Sequence, residues 1–157
     1  MPEDTTGCVV CDMLQGRAAL PGGTAHETSH WVVMHVLGAF NLGSLAIVPR
    51  RHVLHVADLD DDETARLGPL LRDVAAAVTA LTDPVRVYTC LWSHTGGEPA
   101  HIHFVLQPIH RSDMADHPGR LGPALQAAML ESGDKPAVEA VEEFVARARQ
   151  VLTTAGS

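Results

Sequence analysis

The chain lacks any long apolar run and is poor in basic residues, and each absence excludes a class of function. No apolar run approaches the roughly 18 residues that a membrane-spanning helix needs, and the N-terminus lacks a basic stretch followed by an apolar one. Only 11 lysines and arginines stand against 19 acidic residues, so the net charge of −8 is wrong for binding a nucleic-acid backbone. We expect a cytoplasmic protein that binds neither membranes nor nucleic acid.

The chain also lacks internal repeats and low-complexity segments. Its 157 residues suffice for one domain with its own core and are too few for two. We therefore expect a single domain over residues 1–157. Its motif-bearing core spans about 8–111, and a C-terminal helical extension spans about 112–157.

Cysteine is scarce, with three residues in all. Because a reducing cytosol disfavours a disulfide, Cys8-Val-Val-Cys11 indicates half of a zinc site, a redox pair or two free thiols. A structural zinc takes four thiolate or imidazole ligands. His52 and His101, at predicted strand positions, are the expected further ligands, with His55 in reserve for His52. Cys90 lies in an apolar stretch and is expected to be a small core residue.

The apolar pattern predicts an α+β fold. Strands are predicted over 31–36, 44–48, 85–92 and 99–108, a long helix over 59–81, and two C-terminal helices over about 123–131 and 136–152. Asp60 and Glu63 resemble a capping box at the start of the long helix. Residues 1–29 are expected to be loop, with at most one helical turn after Cys11. This order predicts an antiparallel sheet with the helices on one face.

Residues 99–108 carry the most informative pattern, because they alternate between two faces of a predicted strand. One face carries Ile102, Phe104 and Leu106, and the other carries His101, His103, Val105 and Gln107. The two imidazoles would lie about 7 Å apart on the polar face. If His101 binds a metal, His103 is left free as a nucleophile toward phosphorus or acyl carbon.

With these residues in place, the chain resembles the histidine triad superfamily of nucleotide hydrolases and transferases. The resemblance rests, in the family's order, on Cys8-Val-Val-Cys11, Asn41-Leu-Gly-Ser-Leu-Ala-Ile-Val-Pro-Arg-Arg-His52, the 59–81 helix, Gly96-Gly97 and His101-Ile-His103-Phe-Val-Leu-Gln-Pro108. It implies an α+β fold, usually homodimeric, in which His103 attacks the α-phosphate of a nucleotide. For the zinc-containing branch it implies a structural zinc on Cys8, Cys11, His52 and His101.

The expected substrate contacts are Asn41, Gly96, Gly97, Glu98 and Gln107. Backbone N–H groups near the glycine pair would hold the phosphate, since a few such groups can bind an anion on an acidic protein. The candidates for giving a proton to the leaving group are His94, Glu98 and His110.

The chain departs from the family's pattern at three positions. The third motif position, usually histidine and glutamine in the uridylyltransferase branch, is Val105, which donates no hydrogen bond. The ribose-contacting position falls at Val36, and the usual Gly-His before the Val-Pro strand is Gly43-Ser44. One positioned donor is worth about 3 kcal/mol, or on the order of a hundredfold in rate. Gln107, on the same face, could compensate.

Three functions therefore stay open. The first is a nucleotide hydrolase or nucleotidyltransferase that forms a covalent nucleotidyl intermediate on His103. The second is a weak or inactive nucleotide-binding module, stabilised by zinc, that acts through partners. The third is a transferase for an unusual small molecule, for which the altered ribose contact is an adaptation.

Overall fold

The computed structural model describes residues 5–155 and confirms the α+β fold. In chain order its elements are α1 (Val9–Leu14), β1 (Thr24–Glu27), β2 (Trp31–His35), β3 (Leu45–Pro49), a 3-10 turn (Val56–Asp58), α2 (Asp61–Thr82), β4 (Arg86–Cys90), β5 (His94–Thr95), β6 (Glu98–Pro99), β7 (Phe104–Ile109), α3 (Arg111–Asp116), α4 (Pro123–Ser132) and α5 (Val138–Ala155). Five strands form one antiparallel sheet in the order β1-β2-β3-β7-β4, and β5 and β6 form a separate hairpin. None of the helices within residues 5–155 is long and apolar enough to cross a membrane.

The long helix α2 begins at the capping box that the sequence predicts. The Asp60 carboxylate accepts from the Glu63 N–H at 2.8 Å, and the Glu63 carboxylate accepts from the Asp60 N–H at 2.9 Å. Asp83, with a φ of 47°, ends the helix in the left-handed conformation. The expected boundaries of 59–81 are therefore confirmed to within two residues of those observed.

Helices cover both faces of the sheet, so the expectation of one covered face was wrong. One face of β2, β3 and β7 packs against α2 and α5 through Val33, Leu45, Ile47 and Leu106. The opposite face packs against α1 through Val32, Met34, Ala46 and Val48, and against α4 through Ile109. Every residue of β2 and β3 is buried, and strands of this kind need cover on both sides. Strand β1 was missed within the expected loop over 1–29, and in place of at most one helical turn after Cys11, helix α1 already begins at Val9.

The predicted histidine strand is shorter than expected. Strand β7 begins at Phe104, so His101 and His103 precede the hydrogen-bonded ladder. The N–H of Ile102 donates to the carbonyl of Val53 at 2.9 Å, and the N–H of His103 donates to the hydroxyl of Ser93 at 3.1 Å. Loop atoms thus take the bonds that a neighbouring strand would make, which leaves both histidines at the end of the sheet.

A buried histidine, His35, closes the connection between β2 and β3. Its Nδ1 donates to the carbonyl of Val36 at 2.8 Å, and its Nε2 accepts from the N–H of Gly43 at 3.0 Å. Gly43 has a φ of 94°, and a Cβ there would lie 2.7 Å from the side chain of Thr82. This connection therefore requires glycine at 43 and a neutral imidazole at 35. Burial lowers the pKa of His35 accordingly.

We expect His35 to make the fold sensitive to acid. Below the ordinary histidine pKa of about 6.5, the unfolded chain binds a proton that the folded chain excludes. The contribution of His35 to stability is therefore full above that pH and declines as the pH falls. Urea unfolding between about pH 7 and 5 should show the wild type losing stability relative to His35→Gln. Both proteins keep Cys8, Cys11, His52 and His101, so the titration of these side chains cancels in the comparison. Parallel pH dependences of the two proteins would contradict the assignment.

Candidate metal centre and active site

Four possible metal ligands converge where α1, the end of β3 and the segment before β7 meet. The ligand atoms, all within 4.8 Å of one another, are the Sγ atoms of Cys8 and Cys11 and the Nδ1 atoms of His52 and His101. Cys8 caps the N-terminus of α1, and Cys11 lies one helical turn later. The structure thus brings together the four residues selected from the sequence. His55, the reserve ligand, is exposed and lies outside this cluster.

Four of the six distances between the ligand atoms match those around a tetrahedral zinc ion, and all six are within 4.8 Å. Cys11 Sγ lies 3.3 Å from His52 Nδ1 and 3.5 Å from His101 Nδ1. Cys8 Sγ lies 3.7 Å from His101 Nδ1, and the two Nδ1 atoms lie 3.3 Å apart. A tetrahedral zinc with ordinary bond lengths separates two nitrogens by about 3.3 Å, and a nitrogen from a sulfur by about 3.6 Å. The four residues could therefore hold a zinc ion as a closed site of the structural kind.

Hydrogen bonds around the cluster orient its ligand atoms. The Nε2 of His101 donates to the carbonyl of Pro49 at 2.9 Å, so its Nδ1 keeps a lone pair that faces the other three ligands. The Cys11 N–H donates to Cys8 Sγ at 3.4 Å. Burial, followed by the neighbouring Cys8, raises the pKa of the Cys11 thiol to about 12. A dication bound by the cluster would lower this pKa, because a thiol that coordinates a metal is deprotonated.

The chain on each side of His52 is anchored to a different element. The Arg51 guanidinium donates to both carboxylate oxygens of the buried Glu63, at 3.1 and 2.8 Å. This bond holds the pKa of Glu63 below its usual range. On the other side, the Val53 carbonyl accepts from the N–H of Ile102. His52 is thereby held between α2 and the segment before β7. This role of Arg51 is not visible in the sequence, because pairing with a residue of α2 leaves no spacing signal.

The candidate nucleophile His103 is half-buried beside this cluster. Its Nδ1 lies 3.2 Å from the His101 carbonyl and 3.1 Å from Ser93 Oγ, and Ser93 Oγ also accepts from the His103 N–H. Because a carbonyl only accepts, Nδ1 carries the ring hydrogen and Nε2 keeps its lone pair. This is the nucleophilic tautomer. Ser93 was not found from the sequence, since it lies in an irregular loop without periodicity.

The expected phosphate-binding residues lie on the β5–β6 hairpin. Gly96 and Gly97 form its turn with φ values of 58° and 88°, the left-handed pair that a tight hairpin favours. Both glycines and Glu98 are exposed. Gly97 also lines a cavity of about 430 Å³ that Ser93 and His94 share. Ser93 therefore contacts His103 and lines the cavity beneath the hairpin.

Of the other two expected substrate residues, Gln107 lies further along β7 and Asn41 lies in the connection between β2 and β3. Gln107 is 0% exposed, and its amide donates to Asn41 Oδ1 at 3.1 Å. Its own oxygen accepts from the amide of Gln126 in α4 at 3.1 Å. Asn41 lines a separate cavity of about 640 Å³ with Asp113 and Lys135. The structure thus divides the expected substrate contacts between the β5–β6 hairpin and this amide network, which consists of Asn41, Gln107 and Gln126.

The third motif position, Val105, is 4% exposed and lies between Ala46 and Cys90 in the ladder. Cys90 is only half-buried, so the expectation that it is a core residue was wrong. It lies on β4, which is an edge strand of the sheet and has a neighbour on one side only. Its Sγ lies 3.5 Å from the Gln126 amide nitrogen.

Two of the three candidate proton donors share the hairpin. His94 and Glu98 are exposed there, and His94 lines the same cavity as Ser93. His110 instead directs its Nε2 to the carbonyl of Thr82 at 3.0 Å, beyond the far end of β7. His110 is therefore hydrogen-bonded to the end of α2. His94 directly follows Ser93, the residue that contacts His103.

Comparison with known proteins finds structures of similar fold but no match by sequence. No protein-family model and no curated protein match the chain. Among solved structures, a hypothetical histidine triad nucleotide-binding protein from Sulfolobus tokodaii is 15% identical, with a TM-score of 0.70, covering 94% of this chain and 93% of that one. A zinc-bound histidine triad family protein from Mycobacterium smegmatis is 16% identical, with a TM-score of 0.66 and 96% of both chains covered.

A uridylyltransferase structure is 21% identical with a TM-score of 0.66, and the match covers 94% of this chain and 45% of that one. At such identities the likeness shows the fold alone. The chain therefore has the fold of histidine triad proteins, with a Cys2His2 cluster at the end of its sheet.

We expect protein purified without chelator to carry one zinc per chain, measured by elemental analysis. His52→Ala removes one of four ligands, so most of the zinc should be lost and thermal stability should fall. His55→Ala is the matched control: it lies three residues later, is exposed, and should retain the metal. Well under one zinc per wild-type chain would contradict the assignment, as would equal losses in the two variants.

Proposed function

We propose that this chain is a zinc-binding member of the histidine triad family that releases a nucleoside monophosphate from its substrate by hydrolysis or transfers it to an acceptor. The observation that carries the proposal is the environment of His103. Two oxygens face its Nδ1, so its Nε2 is the nucleophilic nitrogen. The histidine triad nucleotide-binding protein and the uridylyltransferase that share its fold support a nucleotide substrate.

The proposed reaction has two steps at one phosphorus atom. The lone pair of His103 Nε2 attacks the α-phosphorus, and the bond to the leaving group breaks with its electron pair on the leaving group, which takes up a proton. Water then attacks the phosphorus, loses a proton, and releases the nucleoside monophosphate with His103 restored. In a transferase, an acceptor phosphate replaces water. Phosphoramidates, dinucleoside polyphosphates and nucleotide sugars are the candidate substrates.

The β5–β6 hairpin is the proposed phosphate-binding element. Its tight turn at Gly96 and Gly97, followed by Glu98, offers backbone N–H groups without a basic side chain. His94 is the proposed proton donor to the leaving group, since it lines one cavity with Ser93 and Gly97.

Zinc on Cys8, Cys11, His52 and His101 would be structural, because four protein ligands leave no open position for substrate. It would join α1 to the sheet beside His103. The zinc-bound protein of the same fold supports this metal.

Two reduced thiols as ligands also suit a reducing compartment, and we propose a cytoplasmic location.

A second candidate function is a nucleotide-binding module with little or no turnover. The observation that favours it is the buried Val105, which donates no hydrogen bond two residues after His103. Gln107, the residue expected to compensate, already uses its amide within the protein. Binding of nucleotide without release of product would identify this module.

We also propose that two copies pair as a homodimer. Strand β4 is an edge of the described sheet, and edge strands with free backbone groups favour pairing with another chain. Val85 and Trp92, at either end of it, are 50% and 49% exposed. An exposed tryptophan beside an open edge is typical of an interface.

Sedimentation equilibrium should therefore give twice the chain mass of 16.7 kDa. Trp92→Lys places a charge beside the open edge and should shift the equilibrium toward monomer. Val9→Lys is the control, because Val9 is similarly exposed at 57% but lies on α1. A monomeric wild type at micromolar concentration would contradict the dimer.

The catalytic proposal is tested by release of nucleoside monophosphate from a panel of the three substrate classes. His103→Ala should lower the rate on the order of a thousandfold or more, since it removes the nucleophile. His26→Ala, on the opposite edge strand β1, is the control and should keep the rate. Release of nucleoside monophosphate that persists in His103→Ala contradicts the covalent mechanism. Binding without release by the zinc-loaded wild type favours the second candidate.

A further inference from the structure

The direction of hydrogen bonding in the amide network can be read from its first member. Asn41 Nδ2 donates to the carbonyl of Pro108 at 2.7 Å, so Asn41 presents its oxygen to the amide nitrogen of Gln107. Gln107 must then present its own oxygen to Gln126, which donates through Nε2 at 3.1 Å. Because a carbonyl only accepts, the Pro108 carbonyl sets the orientation of all three amides.

The last donor of this network has one hydrogen to spare. Gln126 Nε2 carries two hydrogens, and the Gln107 oxygen takes one of them. The nearest partner of the other is Cys90 Sγ, at 3.5 Å, and a thiol sulfur is a weak acceptor. One hydrogen of the Gln126 amide is thus held by a good acceptor, and the second has only a weak one.

The two partners of Gln126 flank Val105 on one face of the sheet. Cys90 lies directly opposite Val105 in the β4–β7 ladder, where paired Cα atoms are about 4.5–5.5 Å apart. Gln107 follows Val105 by two residues and so shares its face. The side-chain amide of Gln126 therefore lies beside the position that follows His103 by two residues. This is the position at which the motif lacks its hydrogen-bonding side chain.

We propose that Gln126, from helix α4, supplies the hydrogen-bond donor that Val105 cannot provide. The inference rests on the proposed function and adds a residue to the same site. As the bond from His103 Nε2 to phosphorus forms, negative charge grows on the phosphoryl oxygens, and the Gln126 N–H exchanges its weak thiol partner for one of them. No covalent bond of Gln126 changes. Gln126 is 4% exposed and held by Gln107, so its orientation is set before substrate binds.

Helix α4 lies outside the motif-bearing segment, and its packing explains how it reaches the site. Leu125 and Met129 of α4 pack on Ile109 of β7, on the face that Val105 shares. Gln126 follows Leu125 directly and lies between these two apolar contacts in the helix. The apolar packing of α4 therefore brings a polar side chain over the sheet.

The test measures kcat for nucleoside monophosphate release in variants at 125 and 126. Gln126→Leu removes the donor and should lower kcat by ten- to a hundredfold. Gln126→Asn, which keeps an amide but retracts it, should also lose rate and guards against a variant that fails to fold. Leu125→Val reduces the apolar packing of the same helix on Ile109 without changing a hydrogen-bonding side chain, so it should lower the melting temperature and leave kcat near wild type.

A rescue separates a role in the reaction from a role in packing. Val105→Gln should overpack the wild-type site but restore part of the lost kcat in Gln126→Ala, because the donor then comes from β7. If Gln126→Leu keeps the wild-type kcat while His103→Ala loses it, only the role of Gln126 is overturned. Absence of rescue together with a kcat loss in Leu125→Val also overturns it. A zinc-loaded wild type that releases no nucleotide overturns the proposed function and this inference together.

Discussion

Four side chains from three distant parts of the chain meet within 4.8 Å, and the position of His103, the proposed nucleophile, depends on that meeting. His101 is one of the four, and its carbonyl, together with Ser93, faces the ring of His103. The residues around His52 are tied in turn to α2 through Arg51 and Glu63. The Cys and His cluster and the start of the long helix thus set the geometry at one end of the sheet. A metal held there would stabilise the fold and the orientation of His103 together.

Helices cover both faces of the sheet, and the two faces differ in what they carry. Leu45, Ile47 and Leu106 belong to the core under α2 and α5. The opposite face carries Val105 and Gln107, with α1 at one end and α4 at the other. Its polar atoms are satisfied within the protein, and among the described residues every buried side-chain nitrogen and oxygen has a partner. Polar groups buried this completely keep one orientation, which is the property that a preorganised site requires.

The sequence predicted those features that depend on local spacing. The capping box at Asp60, the α2 helix, and the central strands follow from patterns within a few residues of each other. The four cluster residues were selected because zinc accepts few ligand types and the CxxC spacing places two of them together. The β1 strand was missed and the α1 helix was expected to start later, because both are short and their stability comes from packing on β2 and β3, which is absent from local propensity.

By itself the sequence determined the α+β class and the residue types of the Cys and His cluster, and it made His103 the candidate nucleophile, because each follows from residue type and spacing. Only the tertiary structure decided that His52 joins the cluster while His55, three residues later, is exposed, since the choice depends on how the chain turns after β3. It also decided that Gln107 is enclosed and that Gln126 lies beside Val105. Gln126 and Val105 are 21 positions apart in sequence and come together through the packing of α4, which no local pattern encodes.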